Sequence, residues 1–213
     1  TIAFGNNAPD SPFPFNIIRV YRKSQDWELI SPTMTVAKSP SNYFGGGLSL
    51  TNDGSTLATF NNSGVEFSTF STQTVSQTYQ QYLNDITVSG ATIDMGDLRL
   101  TDSGERLFVM SGDEKVRVYD STHTQETERG GVRNFSITKD GSSMVLTSDV
   151  GLTKVFNRDD TSWSQLGHVI TTDMTGGGAT VDIKNDGTSI VLTGSSDSLR
   201  LYKYDDSSWS LAD

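Results

Sequence analysis

Apolar and polar residues alternate along this chain in short runs separated by tight turns. Ile17-Ile18-Arg19-Val20-Tyr21-Arg22, Val65-Glu66-Phe67-Ser68-Thr69-Phe70, Lys115-Val116-Arg117-Val118-Tyr119-Asp120, Thr153-Lys154-Val155-Phe156-Asn157 and Leu199-Arg200-Leu201-Tyr202-Lys203 each read as a half-buried strand. A second set, Ser55–Phe60, Glu105–Met110, Ser143–Thr147 and Ser189–Gly194, follows directly on Asp-Gly or Ser-Gly. Asp-Gly between alternating runs is the strongest short hairpin signal, and it predicts positive φ at both central turn residues. No window of helical length carries apolar residues at three- and four-residue spacing, so no helix is expected.

One phrase keeps returning. Gly176-Gly177-Gly178-Ala179-Thr180-Val181-Asp182-Ile183-Lys184-Asn185-Asp186-Gly187 has copies at Gly45–Gly54 and Gly130–Gly141, and a looser one at Met95–Gly104. Recurrence at this spacing means a repeat architecture. The repeats divide the chain into units at 1–44, 45–94, 95–129, 130–175 and 176–213, built on a plan of four short strands that the last four complete. The predicted fold is all-β: a single β-propeller domain or propeller fragment with about five four-stranded antiparallel blades. The first blade lacks its inner strand, because Thr1-Ile2-Ala3-Phe4-Gly5 matches the strand that elsewhere follows the turn. An unpaired inner edge is a liability, so a longer parent supplying that strand is expected. The glycine runs are read as letting crowded inner strands approach closely. Thr74–Leu83, rich in Gln, Ser, Thr and Tyr, reads as a solvated edge strand.

The order of parts is similar to the WD-repeat blade. Lys115-Val116-Arg117-Val118-Tyr119-Asp120 resembles its third strand with Tyr119 in the tryptophan place, while the opening Gly-His pair is missing. Thr1–Ile30 and Ser143–Ile170 resemble a degenerate propeller repeat of algal, protist and large-virus proteins, related to the FG-GAP propellers. Ser162-Trp163-Ser164-Gln165-Leu166-Gly167 carries its closing phrase. The resemblance implies a propeller and a surface, fibre or capsid role, which slightly favours an extracellular or virion-surface location while the compartment stays unknown. The calcium-binding FG-GAP loop needs several alternating carboxylates. Asn52-Asp53-Gly54, Lys139-Asp140-Gly141 and Asn185-Asp186-Gly187 carry too few, so no metal is expected.

Composition narrows the partners. Hydrophobic residues are 34% of the chain, so the core is divided among small units. A net charge of −10 disfavours nucleic acid and anionic membrane surfaces. No apolar run is long enough for a spanning helix, so no membrane insertion is expected. With no cysteine, thiolate chemistry and disulfides are absent.

Candidate chemistry is sparse. His123 and His168 lie in polar connections without ligand spacing. Asp159-Asp160 and Asp205-Asp206 precede Ser-Trp in equivalent places, and that repetition reads as scaffold, not as an acid–base pair. No nucleophile-elbow phrase occurs. No catalytic, cofactor-binding or metal residue is assigned, and the chain is read as not an enzyme. Trp27, Trp163 and Trp209 occupy equivalent places and are either packing aromatics between outer strands or one glycan platform per blade. Asn61-Asn62-Ser63 and Asn134-Phe135-Ser136 match the N-glycan acceptor pattern. The expectation is a non-catalytic structural or interaction module binding protein partners or further copies of itself, with a carbohydrate-binding propeller as the alternative.

Overall fold

The computed structural model describes residues 2–5, 15–23, 25–29, 34–37, 48–60, 64–69, 80–81, 86–87, 97–122, 124–160, 162–172, 180–194 and 199–212. These contain no helix and form five antiparallel sheets. The first holds β1 (Ile2–Gly5), β2 (Phe15–Lys23) and β3 (Trp27–Leu29) in that order, with β4 (Met34–Ala37) also paired to β2. The second holds β5 (Leu48–Leu50), β6 (Thr56–Phe60), β7 (Gly64–Thr69) and β8 (Gln80–Gln81), with β9 (Ile86–Thr87) on β7. The third is β10 (Asp97–Leu100), β11 (Arg106–Ser111), β12 (Lys115–Asp120) and β13 (Gln125–Gly130). The fourth is β14 (Asn134–Ile137), β15 (Ser143–Thr147), β16 (Leu152–Arg158) and β17 (Trp163–Gln165), with β18 (Ile170–Thr171) on β16. The fifth is β19 (Thr180–Ile183), β20 (Ser189–Thr193), β21 (Leu199–Tyr204) and β22 (Trp209–Leu211).

Two compact units divide this chain: residues 1–113 with 119–125, and residues 114–118 with 126–213. In the first unit, Ile18 and Val20 pack with Leu57 of the following sheet. Ala58 and Val65 of that sheet pack in turn with Leu98, Leu100, Leu107, Val109 and Tyr119. In the second unit, Val145 and Val155 of the fourth sheet pack with Val181, Ile183, Ile190, Leu192, Tyr202 and Trp209 of the fifth. Each core is therefore a layer between successive sheets, which suits a chain low in apolar residues. The first strands of successive sheets are also stitched by side chains. Ser49 Oγ accepts the Leu100 amide at 2.7 Å, and Asn134 Oδ1 accepts the Val181 amide at 3.3 Å.

The turns are built differently from the expectation. Gly54, Gly104, Gly141 and Gly187 have φ between +68° and +76°, but the residues before them do not. Each is a turn closed by a left-handed glycine, not a two-residue turn with both centres left-handed. The aspartate has a separate task. In Thr51-Asn52-Asp53-Gly54-Ser55, Thr51 Oγ1 donates to Asp53 Oδ1 at 2.7 Å and accepts the Thr56 amide at 3.0 Å. Asp53 Oδ1 also accepts the Ser55 amide at 2.9 Å. Thr138-Lys139-Asp140-Gly141-Ser142 repeats this, with Thr138 Oγ1 to Asp140 at 2.7 Å and the Ser143 amide to Thr138 Oγ1 at 2.9 Å. Thr51, Thr101 and Thr138 are all buried at this place.

A buried hydroxyl joining strand end to turn acid sets up a measurable difference. Thr138→Val keeps the shape but strips the Ser143 amide of a partner, and is expected to cost about 1–3 kcal/mol in urea unfolding. Thr101→Val should cost less, because Thr101 faces Ser103 Oγ at 3.5 Å where the others face a carboxylate. Equal losses at both sites would sink the aspartate's part in the turn.

Two further features depart from the sequence reading. β4, β9 and β18 are additional strands: β4 shares β2 with β3, β9 shares β7 with β8, and β18 shares β16 with β17. The fourth strand expected in the 95–129 unit is β13. In the glycine pair 130–131, close approach is not the reason for glycine. A Cβ on Gly130 would meet only Lys115 at 3.8 Å, and one on Gly131 would meet nothing within 4 Å, whereas Gly131 has φ +71°. The glycines at 45–47 and 176–178 and most of 74–83 lie outside the described residues.

Candidate functional site

The repeated acids are spent on the scaffold. The Ser55 amide, with the Thr51 and Ser55 hydroxyls, holds the Asp53 carboxyl below the usual carboxylate range. Burial opposes ionisation of Asp140, but the Ser142 amide and the Thr138 and Ser142 hydroxyls outweigh it and keep its carboxyl low. Lys184 stands where the other turns have threonine, and with Thr188 it holds Asp186 well below that range. Asp205 is kept low first by the Ser208 amide, then by Ser207. The doublets divide the same way. Asp159 Oδ1 accepts the Ser162 amide at 2.9 Å, and Asp205 Oδ1 accepts the Ser208 amide at 2.8 Å. Asp160 is exposed, and Asp206 is exposed with φ +68°.

A pH dependence follows from these signs. A carboxyl whose folded pKa is depressed contributes stability above its unfolded value of about 3.9 and loses it as pH falls through the folded one. Unfolding midpoints are therefore expected to drop as pH is lowered below about 4, and to do so less steeply in Asp53→Asn combined with Asp140→Asn. An unchanged slope in that double variant would remove these turns from the acid response. Asp97 has the opposite sign: burial raises its pKa despite Arg99, whose Nη1 is 2.6 Å away.

The remaining candidates are dispersed. His168 is exposed between β17 and β18, and His123 lies outside the described residues. Among the described residues, no three His, Cys, Asp or Glu side chains are grouped to hold a metal. Trp209 is only 4% exposed, and its Nε1 donates to the Leu166 carbonyl at 3.0 Å. Trp163 is half-buried on β17, where its carbonyl accepts from Arg129 at 3.4 Å. Trp27 opens β3, but its side chain lies outside the described residues, as do Asn61–Ser63. Asn134 and Phe135 lie within β14, and Phe135 is 1% exposed. A cavity of about 10 Å³ between Thr147, Ser148, Gly151, Thr153, Thr172 and Leu192 has room for roughly one water.

Two features of the second unit had no place in the sequence reading. One is a charged seam along β13. Glu128 takes Lys115 Nζ at 2.7 Å and the buried Arg117 Nε at 3.0 Å. Two residues earlier, Glu126 takes Arg158 through both Nε, at 3.3 Å, and Nη2, at 3.1 Å. The Arg129 guanidinium lies 5.2 Å from the Phe156 ring centre. The alternation of Glu126 and Glu128 opposite a Lys-x-Arg strand was the signal available in sequence.

The other is an open apolar face on the fifth sheet. Val191 pairs with Leu201 and Thr193 with Leu199, so these side chains share one side. Leu199 is 68% exposed and Leu201 38% exposed. Ile190, Leu192 and Tyr202 point to the opposite side and fill the core.

No family model matches the sequence, and no curated protein does either. Solved structures do resemble the fold. Kluyveromyces lactis Hsv2 aligns with a TM-score of 0.60 at 16% identity, covering 99% of this chain and 72% of its own. A protein from Lactobacillus plantarum aligns with a TM-score of 0.60 at 17% identity, covering 96% and 65%. A protein from Desulfotomaculum acetoxidans gives 0.55 at 12% identity, covering 94% and 62%. At these identities the likeness speaks to architecture alone, and that architecture is an all-β, propeller-like fold.

Proposed function

We propose that the protein is a non-catalytic interaction module whose five sheets are blades of a degenerate WD-like or FG-GAP-like propeller. The observation that carries this reading is the side of the fifth sheet where Leu199 and Leu201 are exposed beside the half-buried Val191. Adjacent exposed apolar residues on a sheet mark a contact surface. The carboxylates that recur in the turns support it from the other side, since their oxygens already cap the turns that hold them. The burial of Trp209 argues against one sugar platform per blade.

The test is recovery of the chain from its native source under mild conditions. A stoichiometric protein complex that survives gel filtration supports the module. A hydrolytic or transfer activity abolished by Asp97→Asn or Asp182→Asn would overturn it. Glycan-array binding lost in Trp163→Ala would replace it with the lectin.

A further inference from the structure

The core shared by the fourth and fifth sheets ends in hydroxyls. Val145, Val155 and Ile170 belong to that core. Side chains two residues apart on a strand share a face. Thr147 lies two beyond Val145, Thr153 two before Val155 and Thr172 two beyond Ile170. Thr147 and Thr153 are register partners, and Thr153 pairs in turn with Ile170. The three threonines are 4%, 2% and 8% exposed. Valine has the same shape and would extend the core at each position. Threonine there costs free energy unless its hydroxyl finds a partner. All three line the cavity of about 10 Å³, with Ser148, Gly151, Leu192 and Thr193.

The hydrogen bonds already made fix what each hydroxyl has left to offer. A carbonyl only accepts. Thr147 Oγ1 therefore donates to the Asn134 carbonyl at 3.3 Å, and Thr172 Oγ1 donates to the Gly151 carbonyl at 3.3 Å. Both keep lone pairs for the cavity. Ser148 Oγ accepts the Leu152 amide at 3.2 Å and keeps its hydrogen. Thr153 Oγ1 has no hydrogen-bond partner among the described residues, so its hydrogen is also uncommitted. Thr193 Oγ1 is joined to Thr180 Oγ1 at 2.6 Å. The cavity thus presents two acceptors and two donors, the complement of a single water molecule. An anion would face the lone pairs of Thr147 and Thr172. A cation would leave the hydrogens of Ser148 and Thr153 without acceptors, and an apolar group would leave all four hydroxyls unanswered. The volume admits roughly one water.

We propose that this threonine-lined cavity is a binding site for one ordered water, which donates to Thr147 and Thr172 and accepts from Ser148 and Thr153. The water ties the end of β18 to the β15–β16 turn. Thr172 already meets that turn at the Gly151 carbonyl, and the water adds a second link through Thr147 and Thr153. This goes beyond the interaction-module reading and holds whatever the module binds.

A high-resolution crystal structure of the 213-residue chain tests it, together with a double-mutant cycle in urea. The expected result is one water oxygen within about 3 Å of Thr153 Oγ1 and Thr172 Oγ1. Thr153→Val keeps the shape and should lose that water, raising the unfolding equilibrium constant about fivefold. Thr153 and Thr172 share no direct hydrogen bond, so a bridging water is what couples their hydroxyls. Thr153→Val combined with Thr172→Val should therefore raise the constant less than the product of the two single effects, by at least about twofold. The crystal structure decides alone if the double variant does not fold. A site without a water, an ion refined there instead, a water unchanged in Thr153→Val, or single effects that simply multiply would each overturn the proposal.

Discussion

Trp209→Ala is expected to cost about 3–5 kcal/mol of stability, the range for emptying a buried aromatic site. Trp209 is 4% exposed in the core shared by the fourth and fifth sheets. Its ring lies 5.1 Å from that of Tyr204 at a tilt of 43°. It also covers Gly167, where an added Cβ would come within 3.0 Å of the indole. Truncation therefore opens a cavity and strips the Leu166 carbonyl of its indole donor. Trp209→Phe keeps most of the ring and loses the hydrogen bond, and should cost about 1–2 kcal/mol. Urea unfolding with a constant slope separates the two. If Trp209→Ala unfolded within about 1 kcal/mol of the parent, packing at this tryptophan would be refuted and a ligand role reopened.

What the sequence made legible was local. Asp-Gly and Ser-Gly turns, alternating strands and their recurrence at fixed spacing required only neighbours in the chain, and five antiparallel sheets followed. The turn's true mechanism was less legible, because Thr138 acts through a hydroxyl that closes on a residue five positions ahead. What lay between sheets was not legible at all. Gln125–Arg129 shows in sequence only as a polar stretch, and β12 and β16 are what bring Lys115, Arg117 and Arg158 to its glutamates. The tryptophans show the same limit. Their equivalent spacing held no information on which indole faces a core, and only the position of the fifth sheet decides it for Trp209. Val145 and Val191 are likewise indistinguishable in sequence, though Val145 is buried in the core shared with the fifth sheet and Val191 is half-buried.

Gly151→Ala is expected to lose about 3 kcal/mol or more, through two separable causes. Gly151 closes the turn between β15 and β16 with φ +76°. A side chain at that φ carries a strain of about 1–2 kcal/mol. Glu114 at φ +61° and Asp206 at +68° show that the fold tolerates this much elsewhere. The second cause is steric and has no outlet. A Cβ at residue 151 would sit 2.4 Å from the Thr172 carbonyl oxygen and 3.3 Å from its carbon, and both are backbone. Thr172 is fixed there because its amide donates to the Gly151 carbonyl at 2.9 Å and its hydroxyl to the same oxygen at 3.3 Å. Relieving the clash means pulling the end of β18 off the turn, which opens the threonine-lined cavity and exposes Ile170, 4% exposed in the parent. Gly131→Ala is the matched control, with φ +71° and nothing within 4 Å of the new carbon. It should lose only the conformational part, about 1 kcal/mol. The excess of Gly151→Ala over Gly131→Ala in paired denaturation curves measures the docking of β18 on the turn, and equal losses would show that this contact does not form.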